Sequence, residues 1–442
     1  MATDRLRDRE RLELWPLIFI HIAVCCYSLV RVASFKNPTA FDPATFHIFF
    51  DVAHLPAALA VTTAFALVAI FFIFARFSFG YFVAFYFYTM VLGYLWLHSF
   101  TDLNYDHRLA GISIFLSAIA FLLPALFMTA PLRGSYRLSQ ASFDRLLIAI
   151  LVLAALTLAV GSAYHFRFVS IRDIYEFRDK IETPRLLNYL IGMISSTLLP
   201  FAFAGFVMRR AYWGAAAALL LLLCLYPVTL SKLALFAPFW LVGMLLLSML
   251  FTARTAVVLS LLVPIAVALV TAAIFPEKAV LLFATVNFRM IAIPATAIDV
   301  YSDFFSTHEI TRFCQISFLK PLMHCPYEEQ LSVLMERVYK LGNFNASLLA
   351  TEGIASVGFY LAPVAVLGGG LIIGIANRLS SGLPAWFILL SGAMLPQVML
   401  NVPLSTVLLT HGAVLLFLLW YLTPRSMFES APPAIDAPGR NN

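Results

Sequence analysis

Two residues stand out as able to do chemistry in an otherwise apolar chain. Arg289 sits in Asn287-Phe-Arg-Met-Ile-Ala-Ile-Pro294, among Phe288, Met290 and Ile291. Burying an unpaired guanidinium costs on the order of several kcal/mol, so an Arg in such company needs a partner or a water-filled cavity. Glu352 is the only charged residue between Lys340 and Arg378; Asn343 and Asn345 precede it, and Gly353 and Gly358 flank it. An isolated carboxylate at the mouth of an apolar segment is a functional candidate, the plain alternative being an ion pair with a nearby Arg. Tyr301, Asp303 and His308 form a polar, aromatic run between the two.

Two smaller patches carry similar groups. Ser170–Glu182 places Ile171, Ile174, Phe177 and Ile181 on one stripe at helical spacing, with Arg172, Glu176 and Lys180 on the other. This describes a short amphipathic helix lying on a membrane surface, which serves as a lid or anchor or as a site. Tyr175 and Glu176 between Arg172 and Arg178 supply a ring, a carboxylate and two guanidinium groups, a set suited to a sugar-phosphate. The other patch is Pro227-Val-Thr-Leu-Ser-Lys232, where Lys232 is the only charge between Arg210 and Arg254. Its ammonium either snorkels to lipid headgroups or, with Thr229 and Ser231, holds a phosphate oxygen.

The elements that must position these groups are membrane helices. Hydrophobic residues make up 62% of the 442 positions and charged residues 12%, about half the usual share of a soluble domain. Apolar runs of about 20 residues recur along the chain, each long enough to cross the hydrocarbon core. The expectation is an all-α polytopic helical membrane protein with about twelve transmembrane helices. The first six are Glu13–Val32, Val52–Phe77, Phe79–Phe100, Leu109–Thr129, Phe143–Tyr164 and Leu187–Met208. The rest are Ala211–Leu230, Leu233–Thr252, Ala256–Phe275, Phe359–Ala376, Pro384–Val402 and Ser405–Leu422. Residues 13–422 form a single transmembrane domain in this reading, between a cytoplasmic N-terminus (1–12) and a disordered cytoplasmic tail (423–442). Its large periplasmic loops are 165–186 and 276–358. The charge-dense Met1–Glu13 leads into a full span and does not resemble a cleavable signal.

Lys and Arg in short loops place both termini inside. Arg167, Arg172, Arg178, Lys180, Arg185, Lys232, Arg289, Arg312 and Lys320 then fall outside. Two explanations stand: long translocated loops escape the rule, or an anionic ligand binds at the outer face. The formal charge of +6 speaks for headgroups or phosphates and not for nucleic acid. Cys25, Cys26 and Cys224 read as small hydrophobes. Cys314 and Cys325 share the long loop and are either bridged or free. Asp51, His54, Asp102, Asp106 and His107 line a cavity or mark a membrane edge, and Gly368, Gly369, Gly370 and Gly374 suit helix packing. No phosphate-binding glycine loop, no metal-spaced His/Cys cluster and no early acidic pair is present, so neither a metal nor a cofactor is expected.

The order of these features resembles the bacterial oligosaccharide repeat-unit polymerases, the Wzy-type O-antigen and exopolysaccharide polymerases. The matching pieces are Tyr175-Glu176 with Arg178, Ser231-Lys232, Arg289 with Pro294, Tyr301-Ser-Asp-Phe-Phe305, and Asn345-Ala ahead of Glu352, Gly353 and Gly358. Such sequences often carry Asp where this one has Glu352. The resemblance implies an inner-membrane enzyme that joins undecaprenyl-diphosphate-linked oligosaccharide repeat units at the periplasmic face, with a chain-length regulator and a flippase as further partners. It implies Arg289 and Arg172 or Arg178 on the diphosphate, Lys232 as a further clamp, Glu352 as base or as the orienter of Arg289, and Tyr175 and Tyr301 stacking on sugars. An O-antigen ligase-like transferase shares this chemistry. A transporter or flippase of lipid-linked oligosaccharide is the rival of another class; it calls for internal symmetry, which the chain does not display. A membrane acyltransferase would want an acidic neighbour for the in-span His411, and none is near in sequence.

Overall fold

The computed structural model describes residues 2–34, 42–132, 136–170, 174, 177, 183–316 and 319–429. The protein is an all-α polytopic membrane protein. Among the described residues eleven helices are long and apolar enough to cross a membrane, and the only β pairing is an isolated bridge between Ile48 and Thr101. We name nine of them α1 (Glu10–Ala33), α2 (Val52–Phe74), α3 (Phe79–Leu97), α4 (His107–Phe127), α5 (Gln140–Tyr164), α6 (Arg185–Met208), α7 (Tyr212–Thr229), α8 (Lys232–Leu250) and α9 (Ala253–Ile274). After them come α10 (Val280–Thr307), the short α11 (Leu331–Tyr339) and α12 (Leu349–Ser380).

The first nine spans agree with the apolar runs. Their ends have identifiable causes. Ser78 accepts from the Tyr81 N–H at 3.1 Å and starts α3, Asp106 does the same for Leu109 at 2.9 Å in α4, and Ser139 for Ser142 at 3.1 Å in α5. Leu230 in the left-handed region (φ 46°) separates α7 from α8.

Three expectations are corrected. The segment 276–358 is not one loop: it contains α10, and α12 begins at Leu349, well before Phe359. The expected spans Pro384–Val402 and Ser405–Leu422 are each broken. Their helices are Ala385–Ser391, Leu395–Met399, Leu404–Leu409 and Ala413–Leu422. Gly392 closes the first of these, Pro403 interrupts the chain before the third, and Gly412 takes a left-handed conformation (φ 77°) before the last. The expected disordered tail does not start at 423, because Thr423, Arg425 and Met427 are buried; residues 430–442 lie outside the described residues.

The chain forms two compact units, one of Met1–Met128, Val257–Ile375 and Gln397–Leu404, the other of Thr129–Ala256, Ala376–Pro396 and Ser405–Asn442. In the first unit α3 is the centre, and every one of its residues is buried. A helix that is apolar all round is stable only when neighbours cover it on every side. Helices α1, α2, α4 and α10 do so, with Phe72, Tyr81, Phe85 and Tyr88 meeting edge to face or stacked. The glycines of α12 work as packing surface: a Cβ on Gly370 would come within 2.6 Å of the Phe121 carbonyl, and one on Gly374 within 2.9 Å of Met128. In the second unit α5, α6 and α7 pack together, and the Trp240 indole donates to the Ala393 carbonyl at 3.0 Å.

Candidate functional site

Arg289 and Glu352 share an unusual local structure. Ala284–Ala292 and Leu349–Ala355 are π-helical, one at the entrance to the body of α10 and the other at the start of α12. A π turn inserts a residue into the helix and rotates the residues beyond it, and such turns recur at functional sites. The first turn runs directly into the Ile293–Thr307 part of α10, and the second packs on that part. The Arg289 side chain is exposed, whereas Glu352 is 6% exposed and accepts a hydrogen bond from the Thr351 hydroxyl at 2.5 Å.

Between them on α10, Tyr301 is buried and donates to the Phe344 carbonyl at 3.3 Å. The structure therefore corrects the expected stacking of Tyr301 on a sugar: with 1% exposure its ring is covered by protein. Its neighbourhood still reaches the expected residues, since this part of α10 packs on the turn that carries Glu352 and Phe344 adjoins the exposed Asn345. Phe46 bridges the two turns' surroundings, meeting Phe288 at 4.9 Å and Phe344 at 6.2 Å between ring centroids.

The glycines beside Glu352 have different roles. A Cβ on Gly353 would stand 3.2 Å from Val366, which is a packing requirement. A Cβ on Gly358 would meet only Ile310, at an ordinary 3.9 Å, but its φ is 73°, and that left-handed step kinks α12 directly after the π turn. The Ser113 hydroxyl donates to the Phe359 carbonyl at 2.5 Å beside the kink.

The same end of α10 holds two acids: Asp303, already noted in the polar run, and Asp299, which the pattern of isolated charges did not single out. Asp299 is 2% exposed and takes a hydrogen bond from the Tyr105 hydroxyl. Asp303, one turn on, accepts from the Asn104 N–H at 2.9 Å and from the Tyr339 hydroxyl at 2.5 Å. Burial, and then the Asp299 charge, push the Tyr105 hydroxyl well above its ordinary pKa; burial and Asp303 do the same for Tyr339. Both remain proton donors at any ordinary pH. A lone acid within Ile293–Val300 was the available signal for Asp299.

In the second unit, Lys232 opens α8 and is half-buried next to Ser231. The Thr229 hydroxyl is engaged locally: it donates to the Leu225 carbonyl at 2.8 Å and accepts from the Ser231 N–H at 3.2 Å. The preceding loop docks on the same corner, with Arg167 N–H donating to Pro227 O at 2.9 Å, Tyr226 hydroxyl to Val169 O at 2.5 Å, and the Arg167 guanidinium 4.0 Å from the Phe177 ring. Ile174 is buried, as its apolar stripe required. Arg172, Tyr175, Glu176 and Arg178 lie outside the described residues.

The lesser candidates are structural. Asp51 accepts from the Ala53 N–H at 2.9 Å, Asp106 caps α4, and His47 pairs with Asp102 at 2.7 Å. His308 stacks on Phe304 with centroids 4.0 Å apart. His411 meets the Ser196 hydroxyl at 3.1 Å, and its carbonyl accepts from Thr197 at 2.8 Å. Those two hydroxyls belong to a third π turn, Ile194–Leu198, and stitch it to the break at Gly412. Cys314 and Cys325 form a disulfide with Cα atoms 5.4 Å apart. Among the described residues no group of three His, Cys, Asp or Glu side chains could hold a metal. Comparison with protein-family models, with curated proteins and with solved structures finds no match to this chain.

Proposed function

We propose that this protein polymerises undecaprenyl-diphosphate-linked oligosaccharide repeat units into a surface polysaccharide at the periplasmic face of a bacterial inner membrane, with both termini cytoplasmic. The observation that carries the reading is a pair of π turns at one helix: the turn with the cation Arg289 opens the Ile293–Thr307 stretch, and the turn with the carboxylate Glu352 packs on that stretch. An acceptor sugar hydroxyl attacks the anomeric carbon of the growing chain, the bond to the lipid diphosphate breaks, and the acceptor proton passes to Glu352. Arg289 stabilises the charge that develops on the departing diphosphate, a role worth about a hundredfold or more in rate for one well-placed donor. A positioned base contributes on the order of a hundredfold or more as well. Asn345 is the further substrate contact proposed in the unit that holds Arg289 and Glu352; in the other unit, Arg172, Tyr175, Glu176, Arg178, Ser231 and Lys232 are proposed by themselves as contacts for lipid-linked substrate.

The test is the gel profile of surface polysaccharide. Deletion is expected to leave single repeat units on their lipid acceptor, and Arg289→Ala or Glu352→Gln to give the same profile with normal protein levels in the membrane. Unattached long polymer would mark a ligase, and units retained inside the cell a flippase. Polymer of normal length and amount from Arg289→Ala would remove the assignment of the site.

A further inference from the structure

The turn that carries Glu352 is held from outside by a disulfide-closed loop. In a continuous helix the carbonyls of Ala355 and Ser356 would accept from the next turn. The left-handed step at Gly358 breaks that ladder and leaves them open. Loop residues fill the vacancy: Thr311 N–H donates to Ala355 O at 2.7 Å and Arg312 N–H to Ser356 O at 3.0 Å. Gln315 adds side-chain bonds, its amide donating to the Ser356 hydroxyl at 2.7 Å and to the Thr351 carbonyl at 3.5 Å. The Ser356 hydroxyl in turn donates to the Thr351 carbonyl at 2.7 Å, spanning the π turn across five residues. The Thr311 hydroxyl orients the amide by donating to Gln315 Oε1 at 2.6 Å.

These contacts fall on both sides of Glu352, at Thr351 and at Ala355–Ser356. The residue between Thr311 and Gln315 that anchors the loop is Cys314, fully buried and bonded to Cys325. The loop reaches this position through left-handed backbone at Arg312 (φ 51°) and Phe313 (φ 67°), a conformation that costs free energy for residues other than glycine. A covalent anchor next to that segment offsets the cost.

From this geometry we infer that Thr311 and Gln315, locked by the Cys314–Cys325 bridge, are positioning residues for the Glu352 turn, so that the orientation of this carboxylate depends on an intact disulfide. A dithiol reductant delivers two electrons and two protons to the sulfur–sulfur bond, yields two thiols, and closes into its own cyclic disulfide. The Thr311–Gln315 clamp then loosens and the π turn gains freedom. The consequence for catalysis rests on the reading of Glu352 as the base; the clamp itself does not.

A readout independent of polymer synthesis separates the two. An apolar carbodiimide modifies buried carboxyl groups, and its attachment at Glu352 is tracked by peptide mapping of the full-length protein in native membranes. Bridge reduction is verified by thiol alkylation, and Glu352→Gln supplies the blank. Dithiol treatment, Cys314→Ser with Cys325→Ser, and Gln315→Ala are each expected to speed labelling at least about fivefold, the shift worth one net hydrogen bond. Thr311→Ser keeps the hydroxyl and is expected to label at the wild-type rate. If Glu352 resists the reagent in both states, amide exchange over residues 349–356 decides instead. Faster labelling or exchange after reduction supports the clamp, whatever happens to polymer. Unchanged or slower labelling, or unchanged exchange, with the bridge shown to be open overturns it.

Discussion

The two compact units bury different ionisable groups. Among the described residues the buried carboxylates, Asp299 and Glu352, belong to the first unit, and the buried guanidinium groups, Arg254 and Arg425, to the second. Arg425 shows how a base can be buried for structure alone. Its guanidinium donates to the carbonyls of Trp420, Tyr421 and Thr423 and to those of Leu379 and Ser381. Helix C-termini leave carbonyls without partners and carry partial negative charge, so a fork of donors satisfies them and its own charge together. A carboxylate finds no such supply inside a helix, where the N–H groups are already used. Asp299 and Glu352 instead draw on hydroxyls, from Tyr105 and Thr351. The contrast teaches where to look for chemistry: a base tied to backbone carbonyls is committed, while an acid held by side chains on an irregular helix can change partner.

The sharpest test of this contrast is Arg425→Met. It leaves several helix-terminal carbonyls buried without donors and is expected to cost about 3 kcal/mol or more of stability, read as a lower unfolding temperature in detergent. Unfolding at the wild-type temperature would undo the structural role of the buried base. Next in size is Tyr105→Phe, which takes the hydroxyl donor from Asp299. The cost of a less satisfied buried acceptor is about 1–3 kcal/mol. If Asp299 were already well served without it, Tyr105→Phe would be silent and the dependence of the acids on side-chain donors would fail.

The smallest effect concerns alkaline pH. Tyr105 and Tyr339 both have their hydroxyl pKa raised in the folded protein, first by burial and then by a carboxylate. A raised pKa means the folded state holds the proton more tightly. Their contribution is then complete below the unfolded tyrosine value, about pH 10, and lost as pH climbs beyond it. Thermal stability should accordingly fall above about pH 10, and Tyr339→Phe should flatten that fall. An unchanged slope would show that folding does not change how tightly Tyr339 holds its proton.

Much of the frame was legible in the residues. Composition and run length were enough for an all-α membrane protein and for its first nine spans. The shared loop of Cys314 and Cys325 made a bridge conceivable. Arg289 and Glu352 stood out because a lone charge among apolar residues is conspicuous. The same conspicuousness misled at α10: Asn287, Arg289, Asp299 and Asp303 made a membrane-length helix look like part of an outer loop. Tyr301 was misread in a related way, since an aromatic in a polar run looks available until its bond to Phe344 and the packing of the Leu349–Ala355 turn on its helix are known.

What the chain determined by itself is the class of fold, most of its spans and the two residues worth suspecting, because these come from hydrophobicity, length and isolation of charge. Tertiary structure decided the rest. A π turn is not written in a short sequence pattern, and nothing local announces that loop N–H groups from Thr311 and Arg312 will bond to the Ala355 and Ser356 carbonyls at the end of the one that carries Glu352. Burial of a carboxylate is likewise settled only when a distant hydroxyl arrives, as Tyr105 does for Asp299. Both depend on contacts between residues far apart in the chain, and those contacts exist only once the helices have packed.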